Sequence, residues 1–531
     1  MTDGINNPDN KTVLNQNVWE GFSNWFHSIC VVTFDLELGQ ALENIYPRDV
    51  KLTKQDISNI CYLAFPDSNS GCMGDTTFVI RLQTKSEKSL RQVKDITLPR
   101  GYFQKSIVLL SYFPFNNLFN KLCSYIAPEY FEHGQESLEV ACYNIKLWPT
   151  PVPGIPLSLP ILGSVFQTYI PISGAVSTVA LLGNDNNEGQ KLTQVDDLNL
   201  YEILQPVLSH IHLLWELVIT SEPIVVMASS PTICSSMVLA LTRLVAPLQY
   251  CGDYRPYFTI HDSEFKQYTS KVHGAPPVIL GVTNPFFAKT FQHWPHTIRL
   301  SDDTGDTQKY KLKKTPPTKM IECTSGIYTS YKPFLQKDKN IIKKIRAGVK
   351  RPYEVQSVIL SKHLNELTQS FMIPLERYIA SLLPLQKDIS AFKAVPTPNP
   401  FNPDSFFATL DKTGPHLTLN KTGIKGDWIG LYKRFFRSPN FKAWFNARYT
   451  ELSLKLQALH AEALSTVDIT NWVRGRPEVE IVDMVMRIKN KIGKCNHDVP
   501  VSDSVKQQLN QRMQDIAISL PEDLKNILQI S

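Results

Sequence analysis

Ile224-Val225-Val226-Met227-Ala228, followed by Ser229-Ser230-Pro231 and an apolar run to about Val245, decides the fold. A continuous apolar run this short, rich in β-branched residues, reads as a strand covered on both faces. Pro231 then stands where proline opens a helix, because the first helical amide has no partner to lose. Val278-Ile279-Leu280-Gly281-Val282 repeats the strand pattern, and a short helix over Asn284–Gln292 and a strand over Thr297–Leu300 follow. Upstream, Leu198–Thr220 predicts a long apolar helix, kinked at Pro206 and ending before Glu222-Pro223. Helices alternating with buried strands imply an α/β lobe with a largely parallel sheet.

The N-terminal third has another texture. Residues 1–20 are polar and Asn-rich, which predicts disorder. Ile29–Leu38 predicts a strand ending at Gly39; further strands are expected over Thr77–Leu82, Ser106–Tyr112 and Gly163–Ile170. Helices are expected over Phe115–Ile126 and Gln135–Trp148, the second carrying Leu138, Ala141, Cys142 and Ile145 as one stripe. The proline-rich Trp148–Pro156 reads as a surface crossover, and Gly183–Gly189 as a flexible boundary loop. Beyond Lys309 strand signals fade. Lys309–Lys319 reads as a basic linker, and Pro396–Pro403 as a loop between helices marked by Val355, Val358, Ile359, Leu367 and Phe371, then Leu452, Leu456, Leu459 and Ala463. The expected organisation is α/β plus α, with a tail over 1–20, a first lobe over 21–183, the α/β lobe over 184–330 and a helical region over 331–531.

Composition narrows the function class. The 531 residues, 43% hydrophobic and 20% charged, suit a folded soluble protein of several domains. A net charge of +6 is too mild to point to nucleic acid. Nine cysteines, odd in number and without a Cys-x-x-Cys spacing, argue against zinc and disulfides and for a reducing compartment. Apolar stretches such as Ile107–Phe115 are too short to span a bilayer, and no signal-peptide pattern opens the chain. A cytoplasmic protein is expected. The sequence carries no P-loop, no Gly-x-Ser-x-Gly elbow, no Rossmann glycine fingerprint and no His-Glu-x-x-His. His210 and His212 do not share a helix face, His293 and His296 flank a turn-like Trp-Pro, and Asp262 or Ser263 reads as a cap for a helix through Phe265.

Two stretches remain as candidate sites. Asp253-Tyr254-Arg255-Pro256-Tyr257-Phe258-Thr259-Ile260-His261-Asp262 mixes aromatics, arginine and a rigid proline, as interfaces do. It equally suits a loop folded onto its own core with Arg255 in an internal salt bridge. Lys337–Arg351 holds seven basic residues with Ile341, Ile342 and Ile345. It reads either as a solvated face or as an amphipathic helix meeting an anionic membrane through Lys337, Lys343, Lys344, Arg346, Lys350 and Arg351.

Taken together, several segments resemble one family. Val31–Glu43 with Tyr46-Pro47, Phe65-Pro66-Asp67-Ser68 with Gly71-Cys72, and Gly101–Ser106 resemble the opening of the DENN module. Trp215-Glu216-Leu217, Glu222-Pro223, Asp253–Asp262 and Gly281–Phe287 resemble its core. Gly426-Asp427-Trp428 and Leu431–Phe436 resemble the helical part of the sixth DENN subfamily. The match departs at Lys85–Leu90, short and charged where members carry an aromatic strand, so that strand is shortened or re-formed, or a piece is missing.

The resemblance implies a tripartite DENN module: a longin-like lobe, a central α/β DENN lobe and a helical downstream region. It implies a guanine-nucleotide exchange factor that binds a Rab small GTPase, GDP-bound or nucleotide-free, of the Rab-fourteen branch at recycling endosomes. No covalent chemistry and no cofactor of its own are expected. The alternative is a scaffold that binds a Rab without exchanging its nucleotide. The loops after sheet strands are the usual binding edge of an α/β lobe, so Asp253, Arg255, Tyr257 and Phe258, with Asn284 and Phe286, are the expected GTPase contacts. The preferred Rab, the means of membrane recruitment and the oligomeric state are not written in these residues.

Overall fold

The computed structural model describes residues 19–35, 39–67, 76–83, 89–97, 104–172, 193–194, 198–270, 274–300, 311–313, 325–348, 350–413, 424–518 and 520–528. The expected disorder before residue 19 and the loop Gly183–Gly189 lie outside them. The chain falls into two compact units, Met1–Asn365 with Ile424–Asn440, and Glu366–Gly423 with Phe441–Ser531.

The first unit opens with an antiparallel sheet. Its strands are β1 (Ser28–Asp35), β2 (Gly39–Tyr46), β3 (Thr76–Gln83), β4 (Ser89–Thr97) and β5 (Gln104–Leu110), in the order β2-β1-β5-β4-β3. Successive side chains of β1 and β5 serve two different cores. Ile29, Val31, Ile107 and Leu109 pack with Phe119, Leu122 and Ile145 of the helices Asn116–His133 and Gln135–Lys146. Cys30, Val32, Val108 and Leu110 pack on the other face with Ile60, Phe65, Phe78 and Ile80. That is why the run from Ile29 to Val32 is continuously apolar: the sheet has no wet face there. β4, which starts at Ser89, pairs with both β3 and β5, while most of the charged stretch Lys85–Leu90 lies outside the described residues. A small sheet follows, β6 (Pro156–Ile161), β7 (Ser164–Tyr169) and β8 (Thr193–Gln194).

The second large sheet is the expected α/β element. β9 (Ile224–Met227), β10 (Asp253–Arg255), β11 (Val278–Val282), β12 (His296–Arg299), β13 (Lys311–Lys313) and β14 (Gly326–Thr329) run in the order β10-β11-β9-β12-β14-β13. All its pairings are parallel except β12 with β14. Strand structure therefore continues past Lys309, against the expectation of a plain basic linker. The segment before β9 breaks as predicted, with helix over Leu200–Leu204, 3₁₀ turns over Gln205–His210 around Pro206, and helix again over Ile211–Ile219. Pro231 opens the helix Pro231–Arg243. Gly281 is required by close approach: a Cβ there would stand 2.2 Å from the carbonyl oxygen of Pro256.

A buried carboxylate secures the segment that leaves this sheet. Glu216 is fully buried and accepts from the amides of Phe334 (2.9 Å) and Leu335 (2.8 Å) and from the Tyr331 hydroxyl (3.1 Å). Burial raises its pKa, and those three donors oppose the rise. Part of the expected helical region thus belongs to the first unit, including the helices Lys339–Ala347 and Trp428–Phe435. Asp427 caps the latter by accepting from the Gly430 amide at 2.8 Å.

The helix Tyr353–Ser381 buries Leu360, Leu364, Leu367 and Phe371, spaced along one face. Val355 and Val358, expected on that stripe, lie off it and are exposed. In the second unit, Ala461, Leu464, Ile481, Val485, Ile488, Leu509 and Ile516 share one core. They come from the helices Pro439–Thr466, Glu478–His497 and Asp503–Ala517.

Candidate protein-interaction site

The carboxyl edge of the parallel sheet meets the antiparallel sheet of the same unit, and the segment after β10 forms the seam. The Tyr257 ring lies edge-on to Phe78 of β3, with centroids 5.0 Å apart, inside the core of the antiparallel sheet. Its hydroxyl accepts from the Asp67 amide at 2.6 Å and lies 3.3 Å from Thr283 Oγ1. Asn284 Nδ2 donates to Asp67 Oδ2 at 3.0 Å. Thr232, on the helix after β9, donates to the Thr77 carbonyl at 2.8 Å.

Asp253 is the polar centre of the seam. It accepts from the Tyr268 hydroxyl (2.7 Å), the Tyr254 amide (2.9 Å) and the guanidinium of Arg81 on β3 (3.0 Å), which also stacks over the Tyr254 ring at 4.5 Å. Arg255, 2% exposed, is held between Asp253 and Glu264. Burial alone would lower its pKa, but Asp253, Tyr268 and Glu264 raise it, so it stays a charged pivot. Asp262 accepts from the Glu264 amide at 2.9 Å, a local turn; the short helix Phe265–Thr269 has Glu264 at its N-cap and no side-chain cap, so the capping expected of Asp262 or Ser263 is not made.

The structure places most of the expected contact set inside the chain. Arg255, Tyr257, Phe258 and Asn284 are buried by the chain's own residues, so their side chains hold the seam and present no outward surface. Phe258 sits among Tyr268, Phe287 and Phe291. Asp253 is half-buried with its oxygens occupied. Of the six, Phe286 alone is exposed, at 52%.

What the seam does present is an aromatic rim. Tyr62, on the helix Lys54–Leu63 over the antiparallel sheet, stacks on His261 with centroids 4.8 Å apart and planes 16° apart. Phe265 stacks on Phe286 at 6.3 Å, and Ile260, the residue before His261, is exposed. Single exposed apolar residues are ordinary. A rim of aromatics supplied by two sheets and backed by a rigid core has the composition of a binding surface. Tyr62 was missed because it comes from a distant helix without any local signal.

Comparison with known proteins now bears on this site. The model for "Stabilization of polarity axis" matches residues 198–306, which include β9 to β12 and the whole seam segment. The model for the DENND6 C-terminal domain matches residues 469–531. Protein DENND6A of Mus musculus is 48% identical over 96% of this chain and 91% of its own length. The chain belongs to the DENND6 family. Protein DENND6B of Homo sapiens is 45% identical over 96% of the chain and 94% of its own length. The DENND6 homolog of Dictyostelium discoideum is 32% identical over 88% and 77%.

In this DENND6-family chain the basic stretch is also resolved into roles. Lys337, Lys343, Lys344, Arg346, Lys350 and Arg351 are exposed, while Ile342 and Ile345 are buried. Gln356 donates to the carbonyls of Ile345 and Gly348, fixing the end of the helix Lys339–Ala347. The apolar face is therefore occupied by protein and is not free to enter a bilayer; a cationic outer face remains. Among the described residues no cluster of three metal-ligating side chains occurs, and no helix is long and apolar enough to cross a membrane.

Proposed function

We propose that this chain is a guanine-nucleotide exchange factor for a Rab small GTPase, with no covalent chemistry of its own. Membership of the DENND6 family over nearly the whole chain is the observation that carries this reading, since DENN proteins regulate Rabs. The antiparallel lobe is the longin-like lobe and the parallel sheet the core DENN lobe. The GTPase, GDP-bound on arrival and nucleotide-free in the productive complex, docks its switch segments on the rim of Tyr62, Ile260, His261, Phe265 and Phe286. Its preferred partner is a Rab of the Rab-fourteen branch, met in the cytoplasm and at recycling endosomes.

The physical requirement is modest. An exchange factor weakens nucleotide affinity by the same factor by which nucleotide weakens its own binding. A thousandfold faster release needs about 4 kcal/mol of extra stabilisation of the opening transition state, within reach of a few aromatic anchors. Those anchors must sit on a stiff support, which the Tyr257–Asp67 and Arg255–Asp253 contacts supply.

Fluorescent-GDP release from a panel of purified Rabs tests the reading. Acceleration for at least one Rab, strongest in the Rab-fourteen branch, is the expected result. Capture of a Rab without acceleration would make the chain a scaffold, and neither capture nor acceleration would remove Rabs as partners.

A further inference from the structure

The helical unit holds a cationic cavity that exchange does not use. It measures about 510 Å³ and lies between the segment 391–398 and the helices Pro439–Thr466 and Glu478–His497. Arg487, Lys491 and Lys494, at i, i+4 and i+7, put three cationic residues on one helix face lining it. Lys393 adds a fourth cation, His460 adds an imidazole whose pKa burial and then Lys491 lower, and no aspartate or glutamate belongs to the lining. The walls are apolar, built from residues such as Val395, Pro396, Leu464 and Met484.

The cavity is a built site. Its outer segment is pinned by His460 Nε2, 3.0 Å from the Lys393 carbonyl, and by Tyr449, whose hydroxyl donates to the Pro398 carbonyl at 3.3 Å. Phe392 stacks on Trp472 at 5.3 Å beside it.

Its electrostatics are unbalanced. Lys491 is 8% exposed and meets no carboxylate among the described residues. Arg487 has Asp483 at 2.7 Å, but that pair lies more than half exposed. Burial and then the nearby Lys494 cation depress the Lys491 pKa, with Cys495 opposing them, as expected of an ammonium short of a counter-charge. A buried cation left unpaired is destabilising, and like charges at i, i+4 add to that. An anion in the cavity relieves both.

We propose that this cavity is a binding site for a phosphate-ester ligand, with Lys491 as the buried anchor and Arg487, Lys494 and Lys393 around it. A phosphate monoester brings a charge of about −1.5 to −2 and three acceptor oxygens, which several converging cations suit better than one carboxylate. The apolar walls and the volume leave room for a compact organic body such as an inositol ring. The same group can arrive free in solution or as the headgroup of a phosphorylated lipid.

The experiment uses the full chain and two probes. Soluble inositol phosphate is titrated by calorimetry, and phosphatidylcholine vesicles with and without phosphatidylinositol phosphate are tested by co-sedimentation. Lys491→Met keeps the length of the side chain and removes a buried charge, so it should fold with equal or higher stability. Lys494→Glu reverses an exposed charge at the same cavity, and Lys343→Met, on a helix of the other unit, is the control. Binding of the soluble probe, weakened tenfold or more by Lys491→Met and Lys494→Glu but not by Lys343→Met, supports the site with a free ligand. The same pattern with phosphoinositide vesicles alone supports it with a lipid headgroup. No binding of either probe, or equal loss in the Lys343→Met control, overturns it.

Discussion

The amide of Asp67 donates to the hydroxyl of Tyr257 at 2.6 Å, joining the loop after the helix Lys54–Leu63 to the loop after β10. Through that bond and the ring's contact with Phe78, a residue of one sheet's edge becomes part of the other sheet's core. The two sheets are therefore locked together at this seam.

Tyr257→Phe should keep the ring packing and lose the hydroxyl, destabilising the chain by about 1 kcal/mol. Tyr257→Ala should cost about 3–5 kcal/mol through the lost ring and the cavity left behind. Denaturant unfolding measures both. Exchange should fall with stability in Tyr257→Ala and be nearly normal in Tyr257→Phe.

Arg255 makes a sharper case. Its removal in Arg255→Ala leaves Asp253 and Glu264 without their shared cation in a 2%-exposed niche. Breaking a buried pair on one side costs about 3–5 kcal/mol. Arg255→Lys retains the charge but not the fork, and should recover part of that loss. Thermal melts of the two variants check the order; an Arg255→Ala variant as stable as the parent contradicts the seam role.

Much of this was readable in the chain, and the limits have physical causes. Ile224–Met227 and Val278–Val282 announce themselves because strands covered on both faces must be apolar throughout. Pro206 marks the break between helices because its ring cannot continue one. β13 and β14 were missed because they are three and four residues long, and lysines at 311 and 313 resemble a linker. In a strand at the sheet margin lysines are ordinary. The segment Asp253–Asp262 was legible as unusual but not as inward-facing: the partners that bury Tyr257 are Asp67 and Phe78, some 180–190 residues upstream. Sequence composition cannot tell an aromatic aimed at a partner protein from one aimed at a second sheet.

Glu222 should make the fold acid-sensitive. Burial would raise its pKa, but His296 (3.7 Å) and Arg434 (2.6 Å) outweigh burial and hold it down at about 2. A carboxylate depressed on folding stabilises above its unfolded value, near 4.5, and the contribution is lost as pH falls through about 2. Arg434→Met should lower stability at neutral pH by roughly 1–2 kcal/mol, discounted for the partial exposure of Arg434. It should also make the loss on acidification shallower. Unfolding midpoints from pH 7 down to pH 2 measure this.

A second acid-sensitive element works with the opposite charge. His212 and His363 are buried with their Nε2 atoms 3.0 Å apart. Burial, then repulsion from His363, pushes His212 down to about 4, and burial lowers His363 as well. The unfolded chain thus binds more protons than the folded one between about pH 6.5 and 4, so stability falls as pH drops through that window. His363→Gln removes one of the two titrating groups and should flatten the fall. An unchanged slope would mean that the pair does not couple to folding.

The most direct test is GDP release from a responsive Rab, comparing the parent chain with the double variant Ile260→Asp, Phe286→Asp. Both side chains are exposed, so the unfolding midpoint should hardly move. Exchange should fall at least about tenfold, a loss of about 1.4 kcal/mol in transition-state stabilisation. Parent-like exchange by a double variant that melts like the parent would contradict the aromatic rim as the docking surface.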